Sequence, residues 1–198
     1  MPAILITGNR PGAGKTSLAA ALLVRLHEHD RRGAYWKPFA QSPETDPDVQ
    51  FISNVLSERL RLPRVPLPTQ PQSPLAVDDL RSQLAGLQSQ ADVVIIEAAD
   101  DDQAAELADA LGVNILLVHY YETADPLVAV DASAQPTLER LTGIILNAVP
   151  IHRREAITRE LDSLHLPPKV LLPESRLMLS VTVEQIAAHL GGDWVQEP

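Results

Sequence analysis

The feature that most constrains this chain is a glycine-rich segment between an apolar run and a helical pattern. The run at 3–8, Ala-Ile-Leu-Ile-Thr-Gly, predicts a buried strand. It leads into Gly-Asn-Arg-Pro-Gly-Ala-Gly-Lys-Thr at 8–16, and apolar residues then recur at helical spacing over 16–29. A strand, a glycine loop and Gly-Lys-Thr at a helix start are the context that a phosphate-binding loop requires.

The chemistry of such a loop follows from its residue types. Glycines allow backbone N–H groups around 12–15 to converge on phosphate oxygens, and the helix dipole adds positive potential there. Lys15 can reach the β- and γ-phosphates of a nucleotide, and the Thr16 hydroxyl can bind Mg²⁺. We therefore expect nucleotide contacts from Gly8, Asn9, Arg10, Gly12, Ala13, Gly14, Lys15, Thr16 and Ser17.

The spacing of the loop departs from the usual pattern. Four residues normally separate the first glycine from Gly-Lys-Thr, which would place that glycine at position 9. Position 9 is Asn, and the glycine is Gly8, so five residues intervene. The alternative is a glycine-rich turn with a chance Gly-Lys-Thr, but the flanking strand and helix favour the phosphate loop.

The rest of the chain alternates apolar strands with helical patterns. Such alternation predicts an α/β fold with a mostly parallel central sheet flanked by helices, as in P-loop nucleotide-binding proteins. The proline-rich segment 61–74 predicts an internal loop, so we expect one domain over 1–198. The further predicted strands are 34–39, 92–97, 113–120, 142–148 and 169–172. The further predicted helices are 49–60, 75–87, 103–111, 153–164 and 182–190, and 126–134 is a helix or a turn.

Composition narrows the partners. The chain has 198 residues and a formal net charge of −10, which disfavours nucleic acid and anionic lipid as partners. It has no cysteine and no apolar run long enough to span a membrane, and its first residues do not resemble a signal peptide. We therefore expect a cytoplasmic protein without disulfides or thiolate metal sites.

Several motifs along the chain resemble one superfamily. They are Lys-Pro-Phe-Ala-Gln at 37–41, Glu97 at a strand end, Ile-Ile-Leu-Asn-Ala-Val-Pro at 144–150, and Leu-Pro-Glu-Ser-Arg-Leu at 172–177 followed by Thr-Val-Glu-Gln-Ile-Ala at 182–187. With the longer phosphate loop, these motifs resemble dethiobiotin synthetase and cobyrinic acid a,c-diamide synthase. The 37–41 and 172–187 segments are most similar to the ATPase-like N-terminal domain of long phosphotransacetylases.

The resemblance implies ATP and Mg²⁺ as ligands. It assigns catalytic roles to Lys15, Lys37 and Glu97, with Lys37 facing the γ-phosphate or an anionic small-molecule substrate. The metal ligands it implies are Thr16, Asp48 and Glu97, although Asp48 could equally cap a helix. The residues it places around adenine are Asn147, Pro173 and Glu174. It also implies a homodimer.

Three functions remain open from the sequence. The first is a nucleotide-binding, regulatory ATPase module of the phosphotransacetylase type. The second is an enzyme that activates a carboxylate or carbamate with ATP, and the third is a dimerising switch. The segment Arg-Pro-Gly-Ala-Gly-Lys-Thr at 10–16 resembles the loop of partition ATPases, in which an extra cation reaches the other subunit's phosphates. Arg10 would then act in trans; the alternative is an exposed loop arginine.

Two further polar groups have simpler interpretations. The carboxylates at 100–102 are more typical of a solvated helix start than of a metal site. His119 ends a predicted strand, where ligands bind in α/β sheets, but a partly covered boundary side chain is the simpler expectation. The six histidines show no metal-ligand spacing.

Overall fold

The computed structural model describes residues 2–71, 74–98, 103–122, 126–162 and 166–175. Its strands form one six-stranded sheet in the order β2-β3-β1-β4-β5-β6, and every pairing is parallel. This confirms the predicted α/β class with a parallel sheet. The strands are β1 Ala3–Gly8, β2 Gly33–Trp36, β3 Val93–Glu97, β4 Asn114–Tyr120, β5 Leu141–Val149 and β6 Lys169–Pro173.

Helices cover both faces of this sheet, as its apolar strands require. One face packs against α1 and the segment α2–α3, and the other packs against α4, α5, α6 and α7. The helices are α1 Lys15–Glu28, α2 Pro47–Phe51, α3 Ser57–Leu60, α4 Val77–Gln88, α5 Ala104–Leu111, α6 Pro126–Ala134 and α7 Arg154–Leu161. Short 3₁₀ turns lie at Pro43–Thr45, Gln135–Arg140 and Ile151–Arg153, and a π-helical turn at Ile52–Leu56 joins α2 to α3.

Strand β2 ends earlier than its apolar pattern predicts. The prediction ran to position 39, but the strand ends at Trp36. Pro38 has no N–H to donate to a ladder, so pairing with β3 cannot continue through it. Phe39 instead forms an isolated parallel bridge with Thr69, from the proline-rich loop. This early end releases Lys37 from the sheet.

The helix predicted from position 49 begins two residues earlier. Asp46 is its N-cap and accepts hydrogen bonds from the backbone N–H groups of Asp48 and Val49, while Pro47 occupies the first turn. The helix predicted over 153–164 spans Arg154–Leu161, and the one predicted over 182–190 lies outside the described residues.

The order of the strands creates the site. From β1 the chain crosses to β2 on one side, whereas β4 pairs with β1 on its other side. The connections therefore diverge at the carboxyl ends of β1 and β4, and this is where open α/β sheets bind ligands. The glycine loop after Gly8 lies at this position.

Candidate functional site

The glycine loop joins β1 to α1 through two positive-φ glycines. Gly12 has a φ of +73° and Gly14 has a φ of +102°, conformations that other residues adopt only with strain. Gly14 is the N-cap of α1, so the N–H groups of the first helical turn face the loop. The backbone thus has the form of an anion-binding cradle, as the motif predicts.

Asn9 ties this loop to the neighbouring strand. Its backbone N–H donates to the Val118 carbonyl at 3.3 Å. Its side-chain oxygen accepts from the Tyr120 N–H at 2.8 Å, and its amide nitrogen donates to the Tyr120 carbonyl at 3.4 Å. The side chain therefore extends the β1–β4 ladder beyond the last residue of β1. A glycine at this position would keep the backbone bond to Val118 but would lack both side-chain bonds to Tyr120, which gives Asn9 a structural reason.

All five residues predicted to be catalytic or to bind metal share a cavity of about 340 Å³ with the glycine loop: Lys15, Thr16, Lys37, Asp48 and Glu97. They come from α1, from the end of β2, from α2 and from the end of β3, which are distant in sequence. The structure thus brings together every residue predicted to be catalytic or to bind metal.

Glu97 is fixed by two hydroxyl donors. Thr16 Oγ1 donates to Glu97 Oε1 at 2.8 Å, and Tyr35 Oη donates to Glu97 Oε2 at 2.8 Å. The carboxyl group is buried, and this burial, with the nearby Asp48 charge, raises its pKa although both hydroxyls oppose the shift. Burial and the Glu97 charge also raise the pKa of the Tyr35 phenol, which therefore stays a donor.

Lys37 makes two ion pairs where it enters the cavity. Its Nζ lies 2.7 Å from Asp46 Oδ2 and 2.6 Å from Asp48 Oδ2. Burial by itself lowers the pKa of this ammonium, but the two hydrogen-bonded carboxylates outweigh it, so the pKa is raised. Lys37 is therefore a cation held by acidic side chains, and its contact with a phosphate or substrate remains a prediction.

The donor set fits Mg²⁺ bound together with a nucleotide. Mg²⁺ prefers oxygen ligands and in such sites takes one or two carboxylates, keeping several waters. Thr16, Asp48 and Glu97 supply one hydroxyl and two carboxylates around the same cavity. Within the described residues no group of three His, Cys, Asp or Glu side chains is placed to hold a metal without other ligands. Both observations are consistent with a site in which Mg²⁺ is bound by protein side chains and nucleotide phosphates together.

A second cavity of about 430 Å³ lies on the other side of the glycine loop. Apolar side chains from α1, β4, β5 and β6 make up most of its lining, as a purine site requires. The predicted adenine residues all line it, together with Gly12 and Gly14 of the loop; they are Asn147, Pro173 and Glu174. Ser17 and Tyr120 line it as well.

Asn147 is hydrogen-bonded to the glycine loop. Its amide nitrogen donates to the Ala13 carbonyl at 2.9 Å, and its side-chain oxygen accepts from the Ala148 N–H at 2.9 Å. A Cβ on Gly14 would approach this amide nitrogen to 2.6 Å, so Asn147 packs directly against the loop. The remaining amide hydrogen and oxygen lone pair are the groups that an adenine edge would use.

Arg10 makes contacts within its own chain. Its guanidinium donates to Glu122 Oε1 at 2.9 Å and lies 4.4 Å from the centre of the Tyr120 ring. Both partners are partly exposed, so the ion pair is a weak one. The predicted contact with nucleotide phosphates in trans would require Arg10 to leave these partners.

His119 and the carboxylates at 100–102 were the two polar groups with simpler predicted roles. His119 is buried, its Nε2 lies 3.5 Å from the Asn9 amide nitrogen, and desolvation lowers its pKa. It is more completely covered than the boundary side chain that was expected. The carboxylates at 100–102 lie outside the described residues.

Two residues of the site were missed by the sequence analysis. Tyr35 orients Glu97, and Asp46 pairs with Lys37. Tyr35 lies two positions before Lys37 in the chain, and Asp46 lies directly before the helix that begins at Pro47. Their roles depend on contacts across 62 and 9 residues, which local patterns do not reveal.

The parallel sheet, the glycine loop and the residues around it define a P-loop ATPase fold. The chain matches the family model described as an AAA domain over residues 2–186, and it belongs to that family. With this match and its fold, it is a P-loop ATPase, and it shares that fold with cobyrinic acid a,c-diamide synthase. No curated protein matches the sequence.

Solved structures support the fold. The signal recognition particle receptor FtsY from Elizabethkingia anophelis is 18% identical, with a TM-score of 0.65; the match covers 93% of this chain but only 63% of the receptor. Cobyrinic acid a,c-diamide synthase from Mycobacterium smegmatis, with bound ADP and magnesium, is 17% identical, with a TM-score of 0.51. The match covers 89% of this chain and 88% of the synthase. MinD from Aquifex aeolicus is 14% identical, with a TM-score of 0.60, and the match covers 90% of this chain and 85% of MinD. Identities this low establish the fold alone.

The described helices do not include a membrane span. None of them is both long enough and apolar enough to cross a bilayer.

Proposed function

We propose that this chain binds Mg-ATP and acts as a nucleotide-binding, regulatory ATPase module of the phosphotransacetylase N-terminal type. The observation that carries the proposal is the convergence of Lys15, Thr16, Asp48 and Glu97 on one cavity beside the glycine loop. An apolar cavity with an amide at its wall adjoins the same loop. A charged compartment and an apolar one on either side of an anion cradle match the two ends of a nucleotide.

Each group has a role that its chemistry supports. The loop N–H groups and Lys15 would hold the β- and γ-phosphates, and Thr16, Asp48 and Glu97 would hold Mg²⁺. Bound Mg²⁺ would neutralise phosphate charge and orient the terminal phosphate. Tyr35 keeps Glu97 aligned by donating to one of its oxygens. The first-turn N–H groups of α1 add positive potential at the phosphates.

The base would occupy the apolar cavity. Asn147 can accept from the adenine amino group and donate to the ring nitrogen beside it, a pairing that guanine does not offer. Pro173 and Glu174, at the end of β6, would frame the ring. The proposed ligand is therefore ATP rather than GTP.

Isothermal titration calorimetry tests the proposal directly. The wild-type chain should bind ATP and ADP with Mg²⁺ more tightly than GTP, and Lys15→Ala should weaken ATP binding strongly without unfolding the chain. Lys169→Ala is the matched control, since Lys169 donates to the Leu161 carbonyl and does not line either cavity. Absence of ATP binding by the wild type, or equal affinities in wild type and Lys15→Ala, would refute the proposal.

The ATP-dependent ligase is the second candidate, and the observation favouring it is Lys37. A buried, charged lysine at the cavity could receive an anionic small molecule as well as a phosphate. A product assay on candidate carboxylic acids with Mg-ATP separates this function from a regulatory module.

Dethiobiotin synthesis itself is not the expected reaction. In the synthetases, Glu-Gly-Ala-Gly-Gly ends the corresponding strand, whereas this chain has Glu-Ala-Ala-Asp-Asp at 97–101. Side chains replace the glycines that allow close backbone approach, and two carboxylates add repulsion toward an anion. Incubation with diaminopelargonate, bicarbonate and Mg-ATP should yield no dethiobiotin; turnover at about 1 per second or faster would contradict this expectation.

The dimerising switch is the third candidate. Its distinguishing residue, Arg10, contacts Glu122 and Tyr120 within the chain. We propose a homodimer on the basis of the family resemblance and a cytoplasmic location on the basis of the absence of cysteine. The net charge of −10 supports the proposal that the protein binds neither nucleic acid nor membrane. Light scattering with and without Mg-ATP tests the switch, because only that function requires the dimer to depend on ATP.

A further inference from the structure

Lys37 has two carboxylate partners, Asp46 and Asp48, that differ in burial and in their other hydrogen bonds. Asp46 is buried, and its side chain also caps α2: Oδ1 accepts from the Asp48 N–H at 3.1 Å and from the Val49 N–H at 2.9 Å. Its second oxygen, Oδ2, takes the Lys37 ammonium at 2.7 Å. Both oxygens of Asp46 are therefore occupied by fixed donors.

Asp48 is the accessible partner. Its side chain is 33% exposed, against 8% for Asp46, and it lines the cavity that contains Thr16 and Glu97. Asp46 does not line that cavity. Asp48 can therefore change partners without disturbing the cap of α2, whereas Asp46 cannot.

The charges around the cavity favour entry of a cation. Three carboxylates, on Asp46, Asp48 and Glu97, lie within interaction range of Lys37. The Asp48 charge also acts on Glu97 and raises the pKa of its carboxyl group, although burial is the larger cause. A divalent cation beside Asp48 and Glu97 would relieve the repulsion between these two side chains, which line the same cavity.

We propose that Asp46 is a positioning residue: it anchors Lys37 so that Asp48 can exchange the ammonium for a divalent cation. After the exchange, Lys37 keeps one hydrogen bond to Asp46, and its other two N–H groups can bind a phosphate or another anion. Metal binding and anion binding are then coupled through Lys37, and this coupling is reciprocal. The inference rests on the proposed function, since it concerns how the same site binds Mg²⁺ and ATP.

Two variants with the same chemical change, two residues apart, test this assignment. Asp46→Asn keeps a good helix cap but removes the charge that anchors Lys37. Among the described residues, Asp48 is then the one carboxylate still hydrogen-bonded to Lys37. Asp48→Asn removes the exchangeable charge and leaves the anchor intact. The measurements are the ATP dissociation constant in EDTA and the Mg²⁺ concentration at half-maximal enhancement of ATP binding.

The two variants should behave differently. Asp48→Asn should bind ATP in EDTA more tightly than the wild type and should lose most of the Mg²⁺ enhancement. Asp46→Asn should bind ATP in EDTA within about threefold of the wild type, and its Mg²⁺ midpoint should rise by about tenfold, as for other groups that orient metal ligands. Equal shifts in both variants, or an unchanged midpoint in Asp46→Asn, would overturn the proposal.

A double-mutant cycle shows whether Asp46 acts through Lys37. In a Lys37→Gln background, Asp46→Asn should no longer change the Mg²⁺ midpoint; a full tenfold change there would assign Asp46 a merely structural role and overturn the proposal. Asp46→Ser, which also caps helices well, replaces Asp46→Asn if that variant fails to fold. Absence of ATP binding by the wild type would refute the proposed function. If the wild type binds ATP but the variants do not show the expected shifts in the Mg²⁺ midpoint, only the proposed exchange of Lys37 for a cation at Asp48 is refuted.

Discussion

Replacing Asn147 by alanine should have two separable effects on ligand binding. One comes from the base, because the amide can pair with two groups on the adenine edge. The other comes from the glycine loop, because the same amide donates to the Ala13 carbonyl at 2.9 Å. A ligand with phosphates but no base, such as inorganic tripolyphosphate, reports on the second effect alone.

The expected magnitudes follow from these contacts. A bidentate amide–adenine pair discriminates between bases by about 1–3 kcal/mol, so Asn147→Ala should reduce the ATP preference over GTP by roughly 5- to 150-fold. The hydrogen bond to Ala13 contributes about 0.5–1.5 kcal/mol net, so tripolyphosphate binding should weaken by roughly 2- to 10-fold. Loss of the bonds to Ala13 and Ala148 should also lower the melting temperature by several degrees, at about 2–4 °C per kcal/mol for a chain of this size.

Competition calorimetry with ATP, GTP and tripolyphosphate measures both effects in one protein. Asn147→Asp is the matched control, because it keeps the side-chain oxygen near Ala148 but cannot donate to the Ala13 carbonyl. An unchanged ATP/GTP ratio in Asn147→Ala would refute the adenine assignment. Unchanged tripolyphosphate binding in both variants would refute the assignment of Asn147 to the loop.

Three further variants test the site. Lys15→Ala should weaken ATP binding by at least tenfold, since it removes a charge-assisted contact worth about 1.5–3 kcal/mol; calorimetry showing the wild-type affinity contradicts this. Burial raises the pKa of Glu97 above its ordinary value near 4.5, so the folded chain binds this proton more strongly than the unfolded chain. The stability of the wild type relative to Glu97→Gln should therefore fall as the pH rises above that value. If the melting temperatures of the two proteins change in parallel from about pH 5 to 8, this expectation is wrong. Gly14→Ala should destabilise the chain more than Gly12→Ala. Both glycines have positive φ, but only at Gly14 would the added Cβ meet the Asn147 amide nitrogen, at 2.6 Å. If urea unfolding shows the same loss of unfolding free energy in both variants, this contact is unimportant.

The local features of this chain were predicted well because their causes are local. Strand β1 and the start of α1 follow from an apolar run, positive-φ glycines and a helical repeat within about 25 residues. The same is true of β3, β4 and β5, whose predicted bounds differ from the observed ones by a single residue at most at each end. The second strand was predicted to run through Pro38 to position 39, whereas the backbone at Pro38 cannot continue its ladder.

The sequence alone determined the class of the fold and the phosphate loop, since alternation of strands and helices and the Gly-Lys-Thr spacing are properties of neighbouring residues. Only the tertiary structure decided the partners within the site. Tyr35 meets Glu97 because β2 pairs with β3, and Asn147 meets Ala13 across 134 residues because β5 lies beside β4. No local pattern specifies which strands become neighbours, because that choice depends on how all the helices and strands pack together.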